Sequence, residues 1–74
     1  METTEEILNK LLERIEWHRR QVVACEEEAI FWATKRGNFR MRDAWKRNAE
    51  ENRKILEKIA KRLEEVNKEK ENDK

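Results

Sequence analysis

A chain of 74 residues with 47% charged and 36% hydrophobic side chains is one domain at most and cannot enclose a wide core by itself. It has no proline, a single glycine and a single cysteine. Strand-type alternation is missing, an internal disulfide is excluded, and no apolar run approaches the roughly 20 residues that span a bilayer. No signal peptide is visible, so a soluble, cytoplasmic, all-α protein is expected. A net charge of +1 argues against general coating of DNA, which calls for a larger basic excess.

The first element opens at Thr3, followed three residues later by Glu6. This is a capping-box pattern with carboxylates at the positive end of the helix dipole. Leu8, Leu11, Ile15, His18, Val22, Cys25, Ala29 and Trp32 then recur at alternating spacings of three and four, which places them on one face of a helix. Helix 1 is expected over about 4–36. Lys35 and Arg36 suit its last turn, and Gly37 suits the left-handed residue that ends it. Asn38 is the expected N-cap of a second helix. Trp45, Ala49, Asn52, Leu56, Ile59, Leu63 and Val66 form the second seam, so helix 2 is expected over about 39–66. The tail 67–74 has no apolar residue and is expected to fray.

The two seams pair with nearly constant index sum, from Trp32 with Trp45 to Leu11 with Val66. An antiparallel two-helix hairpin closed at 37–38 follows, in the manner of a coiled coil. A continuous helix that swaps its second half with another copy would satisfy the same heptads. Helix 1 is also apolar away from its seam, where Trp17, Ala24 and Phe31 lie seven apart and Val23 and Ile30 stand beside them. One partner helix cannot cover that surface. A homo-oligomeric bundle with helix 1 inside is therefore expected, a dimeric four-helix bundle being the simplest form.

His18 and Asn52 are the clearly polar seam residues, and such residues commonly fix register or oligomer number. His18, Cys25 and Glu28 could ligate zinc only if symmetry copies converged to supply further ligands, so no metal and no cofactor are expected. His18 and Cys25 are two turns apart, beyond the reach of a base and its nucleophile, and no phosphate-binding glycine loop is present. Enzymatic activity is not expected.

Charge is uneven: residues 1–34 carry −4, 35–54 carry +5 and 55–74 are neutral. The basic segment coincides with the closed end, where Lys35, Arg36, Phe39, Arg40, Arg42, Trp45, Lys46 and Arg47 cluster in sequence. Guanidinium groups grip phosphate and aromatic faces stack on bases. These residues are the candidate ligand site for a phosphate-bearing partner, a nucleotide-type signal or a short nucleic acid. His18, Arg19 and Arg20 form a secondary basic group. The competing account is that the tryptophans close the core and the arginines solubilise its end.

The stretch WHRRQVVACEEEAIFWATKRG, residues 17–37, resembles the helical hairpin of small phage proteins that sequester cyclic nucleotide immune signals, the anti-CBASS and anti-Thoeris sponges. The resemblance covers under a third of the chain and carries over no binding residue. It implies an oligomeric, non-catalytic nucleotide binder of phage or mobile-element type. In bare architecture the chain also looks like small antiparallel hairpins that dimerise to bind RNA. The rival expectation is a protein-interaction module that docks a host protein through Trp17, Ala24 and Phe31, since spaced apolar anchors serve helix-in-groove recognition.

Overall fold

The computed structural model describes residues 2–72, which form two helices, α1 (Thr4–Thr34) and α2 (Phe39–Asn72). They pack along each other as a hairpin with extents of 57 × 17 × 15 Å. At about 1.5 Å per residue either helix spans most of that length, so the molecule is a rod one helix pair thick. No helix among the described residues is long and apolar enough to cross a membrane.

Local chemistry accounts for both helix starts. Thr3 is extended (φ −75°, ψ 161°), and its Oγ1 accepts from the Glu6 N–H at 3.2 Å. Glu5 and Glu6 occupy the first turn, where negative charge complements the helix dipole. Asn38 caps α2 in the same way: its Oδ1 accepts from the Met41 N–H at 3.1 Å, and its carbonyl accepts from the Arg42 N–H at 3.1 Å.

The ends differ from the sequence expectation. α1 stops at Thr34 rather than at 36, and the connection occupies 35–38 rather than 37–38. Two bonds mark the exit. The Thr34 hydroxyl donates to the Ile30 carbonyl at 2.7 Å, a back-bond that competes with the helical ladder. The Asn38 N–H donates to the Trp32 carbonyl at 2.9 Å, which folds the chain back over the helix end, with Gly37 at φ 61° supplying the reversal. Lys35 is the C-cap, still right-handed (φ −91°, ψ −33°) with its N–H on the Phe31 carbonyl at 2.8 Å, and Arg36 lies past it. At the other end α2 continues six residues beyond 66, so the expected fraying is not seen over 67–72; residues 73 and 74 lie outside the described residues. Glu and Lys are strong helix formers, Lys70 suits the negative end of the dipole, and its Nζ lies 3.7 Å from Glu5 of α1.

The core is one side chain wide and has two parts. Towards the open end Leu11, Ile59 and Val66 are buried together, with Ile7, Leu8, Ile15 and Leu63 packed against them. Towards the closed end the buried residues are small: Cys25, Ala29 and Ala49. Burying an aliphatic side chain contributes about 1.5–3 kcal/mol, so most cohesion resides at the open end. Between the two parts stands a polar rung, where His18 Nδ1 meets Asn52 Oδ1 at 2.8 Å. The Asn52 amide also donates to the Asn48 carbonyl at 3.0 Å. That second bond orients the amide, so Oδ1 is the acceptor and His18 Nδ1–H the donor. An ion pair between Arg53 and Glu26 further ties the helices together.

Candidate ligand site at the closed end

At about 100° per residue the basic residues of α2 divide into two sets. Arg42 and Lys46 share one flank with Phe39, whereas Arg40 and Arg47 fall on the side away from α1. The first set borders a groove between the helices of about 360 Å³, lined by Ala29, Ile30, Ala33 and Thr34 of α1 with Glu26, Arg42 and Lys46. That volume is at the low end of the roughly 300–1,000 Å³ typical of small-molecule sites. Its wall is mainly apolar, and its cations stand one turn apart on the rim.

Arg42 contacts both Phe39 and Asp43. Its guanidinium carbon lies 4.8 Å from the centroid of the Phe39 ring, within the range of a cation–π contact. Its Nε also donates to Asp43 Oδ1 at 3.0 Å. Phe39, 57% exposed, therefore acts as a platform under the guanidinium and leaves one ring face to solvent. Lys46 makes no ion pair among the described residues. Glu26, the acidic residue of the groove, is engaged by Arg53. With Arg42 ion-paired to Asp43 at 2.9 Å, the uncompensated charge at the groove is that of Lys46.

The remaining candidates are placed differently. Lys35, Arg36, Arg40 and Arg47 are exposed and do not line the groove. Trp45 is half-buried on the core side of α2, on the same face as Ala49, and offers no open stacking face. Its indole nitrogen and that of Trp32 are fully enclosed without a hydrogen-bond partner, an arrangement that costs about 1–3 kcal/mol per donor. The secondary basic group is divided: His18 turns inward to Asn52, while Arg20 pairs on the outer surface with Glu16 at 2.6 Å. Cys25 is buried with a free thiol. Among the described residues no three His, Cys, Asp or Glu side chains gather as a metal site would need.

Sequence reasoning overlooked the α1 wall of the groove, Ala29, Ile30, Ala33 and Thr34. A usable signal was present in Ile30, an apolar residue off the seam, with two alanines on its core side.

The alternative docking residues lie on the open side of α1, with Trp17 56% and Phe31 41% exposed, and Ala24 exposed between them. A scan against protein-family models, a search of curated proteins and a search of solved structures each found no significant match.

Proposed function

We propose that this is a non-enzymatic, homo-oligomeric helical protein that binds a phosphate-bearing partner, a nucleotide-type signal or a short nucleic acid, at the groove beside its closed end. The observation that carries the reading is the pairing of an apolar wall, Ala29, Ile30 and Ala33, with Arg42 and Lys46 on the rim. An apolar wall accommodates the flat face of a base, and a guanidinium held against Phe39 and a nearby ammonium hold phosphate. Arg40 and Arg47 lie on the far side of α2 and add attraction at longer range. The resemblance of residues 17–37 to the phage sponges belongs to the same reading.

The test is native mass spectrometry of the protein as purified, without removal of nucleic acid, followed by titration of R42A/K46A and R40A/R47A with the ligand class recovered. Loss of binding in the first variant and its retention in the second is the expected result. Equal binding by both variants and the wild type would sink the site. Rising salt should weaken the interaction, as for any contact dominated by phosphate charge.

A second reading is favoured by the exposure of Trp17 and Phe31: an interaction module that docks a host protein through that face. It differs in predicting little dependence on salt.

A further inference from the structure

Most of the large exposed apolar side chains among the described residues lie on α1. Trp17, Val23, Ile30 and Phe31 are 41–63% exposed, and around Ala24 lies a shallow hollow of about 400 Å³ lined by Glu16, Arg19, Arg20, Val23, Ala24 and Glu27. The order of these residues along the helix is close to palindromic. Reading outward in both directions from the point between Val23 and Ala24, Arg20 and Glu27 stand equally far away, and Trp17 and Phe31 do so to within one residue. A surface of this kind is complementary to itself when two copies meet antiparallel across a twofold axis, the isologous arrangement of most dimers.

We infer that a second copy of this chain covers this face, with α1 packed antiparallel to α1 of the partner subunit and the dyad between Val23 and Ala24. In that register residues with an index sum near 47 meet. Val23 lies against the partner's Val23 on one flank, and Ala24 against the partner's Ala24 on the other. The small alanine side chains let the helices approach closely. Arg20 reaches Glu27 of the partner subunit, and symmetry provides that pair twice. Trp17 packs against the partner's Phe31 at both ends of the contact.

Charge supports a second copy as the occupant. Arg20 has only Glu16 as its in-chain partner, both side chains being largely exposed, and Glu27 has no ion pair among the described residues. A parallel arrangement would oppose Arg20 to Arg20 and Glu27 to Glu27, which is repulsive at both positions. The antiparallel one neutralises both. This inference rests on the homo-oligomeric part of the proposed function and adds the surface and its register. It shares Ile30, at the edge of the face, with the groove, and leaves the cations Arg42 and Lys46 of α2 outside the contact.

The test is sedimentation of the full chain and three charge variants, R20E, E27R and R20E/E27R, with circular dichroism as a check that helicity persists. The wild type is expected to be oligomeric at micromolar concentration through a dimeric contact. Each single variant places like charges opposite each other twice and should weaken association about tenfold or more. The double variant restores opposite charges and should return association to near the wild-type level. A double variant that associates no better than the singles would overturn the antiparallel register, while oligomerisation by another face would stand. A wild type that sediments as a folded monomer would overturn both, without bearing on phosphate binding at the groove.

Discussion

At the scale of single residues, the His18–Asn52 rung is the element whose removal tells most. The pair interrupts an otherwise apolar seam, and each partner is half-buried. Replacing Asn52 by Leu leaves the His18 Nδ1–H without its acceptor, which costs about 1–2 kcal/mol. Replacing both by Leu removes the donor and the acceptor together and should be neutral or stabilising. A double-mutant cycle read by urea unfolding is therefore expected to show a coupling of about 1 kcal/mol between the two positions. Simple additivity would mean that the rung contributes no pairing energy. The double variant should also lose discrimination among registers, because a lone polar layer is satisfied in only one alignment of the helices. Multiple oligomeric species on sedimentation would be the sign.

At the scale of elements, the connection over 35–38 determines whether the chain closes on itself. Gly37 has φ 61°, and a Cβ built there would meet nothing within 4 Å. The only obstacle to a side chain is thus the backbone conformation, which costs a residue other than glycine about 1–2 kcal/mol. Gly37→Ala should lower stability by that order, and Gly37→Asn by less, since asparagine tolerates the left-handed region. Thermal melts that rank wild type, Asn and Ala in that order would confirm conformational strain, while equal melting of all three would mean that the turn bears no strain. The same elements define what was legible beforehand. The heptads disclose both helices and their antiparallel pairing because a seam needs only the identity and spacing of its residues. Thr3, Gly37 and Asn38 announce their roles through short-range chemistry. The exact exit at Thr34 was not legible, since it depends on how the Asn38 N–H reaches back to the Trp32 carbonyl. Nor was the extension of α2 through 67–72, where cohesion comes from charged helix formers and the approach of Lys70 to Glu5 rather than from apolar spacing. At the site, helical period alone separates Arg40 and Arg47 from Arg42 and Lys46. Which flank of α2 faces Ile30 depends on how the helices are rotated against each other, and that is a property of packing.

At the scale of the whole molecule, a rod of 57 × 17 × 15 Å with a core one side chain wide leaves much of its apolar surface in water. The large exposed apolar residues are concentrated on α1. α2 has a single apolar stripe with charged residues around the rest of its circumference, which leaves α1 as the helix to be covered. Association through α1 would cover apolar surface of that helix up to Ile30 at the groove's edge, while Arg42 and Lys46 of α2 stay outside the contact. Stability and assembly should then be linked by mass action. Between two protein concentrations roughly a hundredfold apart, a dimer that unfolds as it dissociates gains about 2.7 kcal/mol. For chains of this size that corresponds to a rise in melting temperature of about 5–10 °C. Val23→Glu places a charge at the centre of the exposed α1 face while leaving the hairpin seam untouched. That variant should melt at a lower temperature that does not change with concentration. If the wild type also melts at one temperature across the range, the hairpin is stable as a monomer, and the exposed apolar face of α1 must be explained by a different partner.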